Sequence, residues 1–188
     1  SSADPVLQSA DVHRLKYQAS DRELFDRFLV DFVPPQAFDV HAHLYDLRHL
    51  AAGCADDDFA GSPEIGHAPL VASMRNWMGS RVAVEGLYFP FPLRHLECRA
   101  ANDFLAAEIK GLAGSRGLMI IRPQDDPSDV ESQIQQHGFA GFKVYHVFAD
   151  REESFLAEQG RFLPEWAWDL ANRYALVIMM HMVLPRAL

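Results

Sequence analysis

The hydrophobic pattern opens with helical spacing. Over residues 11–32, Leu15, Phe25, Phe28, Leu29 and Phe32 stand among many charges, closer to a 3.6-residue period than to alternation, and Pro34 and Pro35 end the segment. The run AFDVHAHLY (37–45) differs, because a short apolar stretch leads straight into two histidines. It predicts a buried strand that runs into a functional loop. Residues 46–66 hold Gly53, Gly61, Pro63 and three consecutive aspartates, Asp56, Asp57 and Asp58, which predicts an elaborated loop. Residues 69–78 return to helical spacing, and RVAVEGLYF (81–89) is rich in β-formers and closed by Pro90 and Pro92.

From there the alternation is regular. A helix is predicted over 98–112, with Phe104, Leu105, Ile109 and Leu112 on one side, followed by Gly117 and the strand LMIIRP. A second helix spans 127–136, with Asp126 or Ser128 as its N-cap, and leads into the strand GFAGFKVYH (138–146). A third spans 164–174, with Pro164 as its first helical residue, before the strongly apolar strand ALVIMMHMV (175–183). Strands apolar on both faces and separated by helices predict an α/β chain with a parallel sheet covered by helices. The organisation expected is an N-terminal helical segment, 1–36, and five β/α units over 37–188.

Composition narrows the partners. At 188 residues and 49% hydrophobic content the chain can bury a substantial core. The balance of 17 basic against 26 acidic residues, with no basic cluster, argues against nucleic acid. No apolar run is long enough for a membrane span, and the first residues lack a basic segment followed by an apolar one, so the expected location is cytoplasmic. Cys54 and Cys98, far apart and in no CxxC pair, are expected to be free thiols.

The chemistry centres on His41 and His43. Residues i and i+2 of a strand point to one face, about 6.5–7 Å apart at the backbone, so both imidazoles can converge on one ion. Asp39 lies one step earlier on that face and could orient a ring. The pair sits at the carboxyl end of the first strand, where α/β sheets and barrels place their ligands. His181, near the end of the fifth strand, needs a partner in its apolar surroundings, and a metal is one candidate.

On these residues the chain resembles the amidohydrolase superfamily, specifically the amidohydrolase-related branch that includes aminocarboxymuconate semialdehyde decarboxylase-like enzymes. FDVHAHLY carries the resemblance, supported by NDFLAAEI (102–109), IIRPQDDP, GFAGFKVY and IMMHMV. It implies a TIM-type (β/α)8 barrel, of which this chain holds the part up to about the fifth strand. It further implies one or two divalent ions, zinc first, with manganese, iron or cobalt fitting the same donors. His41, His43 and His181 would be ligands. The metal would acidify a bound water toward a pKa of about 7 and polarise a substrate carbonyl or carboxylate.

The resemblance also bears on the fourth strand. Some members carry there a carboxylated lysine that bridges two metals, and Lys143 stands in that strand with Tyr145 on its face and His146 on the other. Lys143 could instead bind a substrate carboxylate or make a plain salt bridge. The family's further histidine and its strand-eight aspartate, the general base, would fall beyond residue 188. The expected function is a metal-dependent hydrolase acting on a small carboxylate-bearing or cyclic substrate. The alternatives are a non-oxidative decarboxylase of the same superfamily and a non-catalytic metal-binding half-barrel fragment. An open, apolar last strand is expected to drive homo-oligomerisation or other association through the barrel edge.

The remaining candidates are expected to be ordinary. His13, His49, His67, His95 and His137 lie in loops or helices, the Asp56–Asp58 run lacks the spacing of a calcium loop, and Ser115 and Cys98 have no nucleophile elbow.

Overall fold

The structure, a computed structural model, describes residues 17–52, 54, 62–150 and 154–181. Along the chain come α1 (Ala19–Phe28), β1 (Phe38–His43), the short strands β2 (Tyr45–Asp46) and β3 (Glu64–Ile65), and α2 (His67–Met78). Then follow β4 (Glu85–Phe89), α3 (Cys98–Glu108), β5 (Arg116–Ile120), α4 (Pro127–His137), β6 (Gly141–Tyr145), α5 (Glu165–Tyr174) and β7 (Val177–His181).

β1, β4, β5, β6 and β7 form one parallel sheet in that spatial order, each neighbour reached through a helix. Sequential winding is what a (β/α) barrel uses, whereas a doubly wound sheet reverses its order. In a flat sheet β1 and β7 would stand about 19 Å apart, four spacings of about 4.8 Å. Yet His181 on β7 acts electrostatically on His41 of β1. The sheet is therefore curled, a half-barrel of five strands.

Its outer face carries the core. Phe142 and Val144 of β6 are buried with Met119 of β5, Leu105 of α3, Ile134 of α4 and Leu170 of α5. Alternation then turns Lys143 and Tyr145 to the inner face. β6 is buried throughout, as expected of a central parallel strand, while the two outermost strands are more open, with Val40 62% and Val177 53% exposed. Gly141 is needed for the approach of β6 to β7, because a Cβ there would lie 1.9 Å from the carbonyl oxygen of Val177.

Local signals explain most boundaries. Asp126 caps α4 by accepting from the Ser128 N–H, Pro127 occupies its first turn, and Gly138 ends it in the left-handed conformation at φ 67°. Pro164 proves to be the N-cap of α5 rather than its first residue. The strand expected over 81–89 begins only at Glu85. Val82 is instead buried with Phe25, Val71 and Met78, so its hydrophobicity serves the packing of α1 on α2. In the expected helix over 11–32 the described helical part is α1, anchored by Phe25, whose ring meets Trp77 edge-on at 5.8 Å. His13 and Asp56–Asp58 lie outside the described residues. The elaborated loop is pinned at its ends by the antiparallel pairing of β2 with β3 and by Arg48, which bonds Glu64 at 3.0 Å and also pairs with Asp46. Among the described residues no helix is long and apolar enough to cross a membrane.

Candidate functional site

Of the six residues singled out by sequence, His43, Tyr145 and His181 are the last residues of β1, β6 and β7, His146 follows β6, and His41 and Lys143 stand two residues further in. β1 contains a bulge: pairing moves from Asp39 opposite Gly86 to Ala42 opposite Tyr88, so β1 carries one extra residue. Such a bulge re-aims side chains. It changes the role expected for Asp39, whose Oδ1 accepts from the backbone N–H of His41 at 2.9 Å rather than from an imidazole. The His41 and His43 rings meet edge-on with centroids 5.5 Å apart. Both pack against Phe89, at 4.9 and 4.7 Å. His43 Nδ1 lies 3.1 Å from the Pro90 carbonyl oxygen; in the neutral ring that nitrogen carries the proton and donates it, which leaves Nε2 as the acceptor.

The opposite edge holds a second group of rings. Tyr145 stacks on His181 at 4.8 Å with the planes 19° apart. The chain turns into a short 3-10 helix, His146–Phe148, immediately after β6. That turn brings the His146 ring to 5.4 Å from His181, so His146 is not isolated on the other face as the strand pattern alone implies. Its Nδ1 is 3.4 Å from Ser154 Oγ.

Lys143 connects the two edges. Its Nζ lies 4.6 Å from the Phe89 ring centroid and 4.9 Å from that of Tyr145, and the residue is only 1% exposed. Among the described residues it makes no ion pair and no hydrogen bond, so the salt-bridge reading has no partner there.

Burial sets the charge of the site. It pushes His43 down to about 4, with His41, Lys143 and His181 adding repulsion and the Pro90 carbonyl opposing it. His41 is lowered by burial and by Lys143 despite Asp39, and His181 by burial and Lys143. His146 is lowered by burial and His181. Burial also takes Lys143 down to about 8 and Tyr145 up to about 12. Neutral imidazoles are the form that ligates a cation.

A group whose folded pKa lies below its unfolded value binds fewer protons when folded, so stability rises with pH between the two values. For His43 that window runs from about 4 to 6.5, and for Lys143 from about 8 to 10.5. Stability should therefore fall as pH drops from 6.5 toward 4, with a contribution from His43 of up to about 1.4 kcal/mol per pH unit. Urea unfolding of the wild type and His43→Gln across this range should show a smaller slope for the variant; parallel slopes would remove His43 as the cause.

The fit of a divalent cation is partial. With Zn–N near 2.0–2.1 Å, two imidazoles on one tetrahedral ion have centroids about 5 Å apart, close to the 5.5 Å between His41 and His43. His181 faces Tyr145 and His146 on the other edge, and among the described residues no group of three His, Cys, Asp or Glu side chains is arranged to hold a metal. A cavity of about 520 Å³, lined by Arg94, Arg122, Gln124, Phe148 and Asp150, opens where the segments after β5 and β6 meet. Arg122 is held there by Asp125 at 2.8 Å.

Three of the other histidines make contacts away from these rings. His67 Nε2 bonds the Val84 carbonyl at 2.9 Å, His137 pairs with Asp103 at 2.9 Å, and the His49 ring rests 5.6 Å from Phe104. Cys54 and Cys98 are free thiols, and burial raises Cys98 to about 12. Ser115 Oγ accepts from the Gly86 N–H at 3.3 Å. Two supporting residues escaped the sequence reading: Phe89, which both β1 imidazoles and Lys143 touch, and Asn102, a polar residue on the apolar side of α3. The signal for Asn102 was its spacing of three from Leu105 on the buried stripe.

No family model matches the chain, and no curated protein matches it. Among solved structures it is similar to the crystal structure of a probable 2-pyrone-4,6-dicarboxylic acid hydrolase from Acinetobacter baumannii with citric acid bound, at 13% identity and a TM-score of 0.49. The match covers 78% of this chain and 49% of that one, so the chain spans about half the length of this neighbour.

Proposed function

We propose that the chain is part of a metal-dependent hydrolase of the amidohydrolase type, with His41 and His43 as two imidazole ligands of a divalent cation, zinc first. The observation that carries the reading is the pair itself: two neutral imidazoles 5.5 Å apart at the carboxyl end of the first strand of a sequentially wound parallel sheet. The Pro90 carbonyl fixes the His43 ring as a metal-ligating histidine is commonly fixed. His181, at the end of β7, is the third ligand in this proposal.

When bound, the cation would supply Lewis-acid polarisation of a carbonyl or carboxylate oxygen and a more acidic water. The chain's own residues bind and orient. Phe89 and Phe91 exclude water from the His43 side. Arg122, which lines the cavity after β5 and β6, would offer a cation to a small carboxylate-bearing or cyclic substrate.

A specific observation favours a second reading: with no three-donor set among the described residues, this chain could bind a cation without catalysis. A hydrolysis assay on a panel of lactones and carboxylate-bearing esters, with added zinc or manganese and with chelator, separates the two. Chelator-sensitive turnover supports the enzyme, release of carbon dioxide from the same acids indicates the decarboxylase variant, and no turnover despite stoichiometric metal supports the binding protein.

A further inference from the structure

We propose that the exposed apolar face of α1 is a self-association surface, on which a second copy of this chain docks its own α1, antiparallel, across a two-fold axis. One α1 side chain is fully buried in the chain's own core: Phe25, packed with Val71, Met78 and Val82. The helix is nevertheless apolar on a second side. Leu24 and Phe28, one turn apart and therefore neighbours on the helix surface, are 55% and 62% exposed. Tyr17 and Leu29 stand exposed at the two ends of α1, and Phe32, in the turn that follows, is 82% exposed.

Single exposed apolar residues are ordinary on a protein surface, but a group of them on and around one short helix marks a contact site. A buried aromatic side chain removes about 150–250 Å² from water, and on that scale the exposed parts of these five residues come to about 500 Å² per chain. Two such faces in contact would bury about 1,000 Å², the area at which a specific interface begins.

The polar rim selects the partner. Glu23 and Arg27, four residues apart and so on one flank of the helix, border Leu24 and Phe28. Among the described residues Glu23 makes no ion pair, and Arg27 makes none either, its guanidinium carbon lying 4.9 Å from the centroid of the Phe28 ring. Antiparallel α1 helices related by a two-fold axis near Phe25 set Glu23 of one chain opposite Arg27 of the other, and the symmetry repeats the pair. A face that is apolar at its centre and carries opposite charges along one flank is complementary to itself. The contact belongs to α1 and is separate from any association through the open edge of β7.

The test follows the mass of the full chain by size-exclusion chromatography with light scattering from about 1 to 100 µM, the range in which an interface of this area associates. The wild type is expected to reach twice the 21.2 kDa of one chain at the highest concentration. Phe28→Glu, at an exposed position, is expected to weaken the dimer at least about tenfold with an unchanged circular dichroism spectrum, and Leu24→Lys is a second variant with the same expectation. Glu23→Arg and Arg27→Glu should each weaken self-association, because each sets like charges opposite one another. An equimolar mixture of these two variants should restore it, since every cross-chain pair is again opposite in sign. A wild type that stays at the mass of one chain would overturn the proposal and leave the face to another occupant. So would an oligomer whose mass is the same in Phe28→Glu and Leu24→Lys, which would put the association at another surface such as the β7 edge. A mixture that stays monomeric would overturn the antiparallel arrangement.

Discussion

Lys143→Met is expected to stabilise the protein at pH 7 by on the order of 2 kcal/mol, a rise in Tm of about 4–8 °C for a chain of this size. The native side chain is 1% exposed and lacks a counter-charge among the described residues, so its ammonium is desolvated with little return. Methionine fills a similar volume between Phe89 and Tyr145 and buries no charge. The sign with pH follows: as pH rises from about 8 to 10.5 the wild-type lysine loses its proton in the folded state first, wild-type stability rises, and the advantage of the variant shrinks. Thermal unfolding at pH 7 and pH 10.5 checks both halves. A variant less stable than wild type at pH 7 would mean that the ammonium is well compensated.

Asn102→Ala is expected to destabilise by about 2–6 kcal/mol, the largest loss predicted for a single side chain here. Its Nδ2 donates to the Ile120 carbonyl at 3.0 Å, and its Oδ1 accepts from the Ile120 N–H at 2.9 Å, with the residue 1% exposed. The reason lies in the neighbouring strand. β4 pairs with β5 through Tyr88 opposite Gly117, so residues 90–92 would come next, but Pro90 and Pro92 carry no N–H. Asn102 takes the place of the missing ladder and closes both backbone groups of the last residue of β5. Alanine leaves a buried donor and a buried acceptor unpaired, each at about 1–3 kcal/mol. Urea unfolding measures the loss; a change below about 1 kcal/mol would show that water or a shifted backbone replaces the amide.

These two residues mark how far the sequence could be read. The helices at 98–108, 127–137 and 165–174 and the strands ending in His43, Tyr145 and His181 were legible, because apolar periodicity, an N-capping aspartate and the left-handed Gly138 act locally. The start of β4 was not. Val82 is a β-former whose burial is decided by its packing with Phe25 of α1 and with Val71 and Met78 of α2, a tertiary contact that local propensity does not show. The histidine pair was visible from its i, i+2 spacing, yet the bulge that sends Asp39 to the backbone of His41 depends on pairing with β4. The approach of His146 to His181 depends on a single 3-10 turn after Tyr145, which no period in the sequence announces. Lys143 was recognised as chemically placed, but its isolation between two aromatic faces is a property of the curled sheet alone.

Zinc titration by calorimetry into metal-stripped protein, wild type against the His41→Ala, His43→Ala double variant, addresses the cation site most directly. One stoichiometric cation is expected in the wild type, with binding lost in the variant and the fold retained by circular dichroism. Equal uptake by the two proteins would contradict the assignment of this pair as ligands.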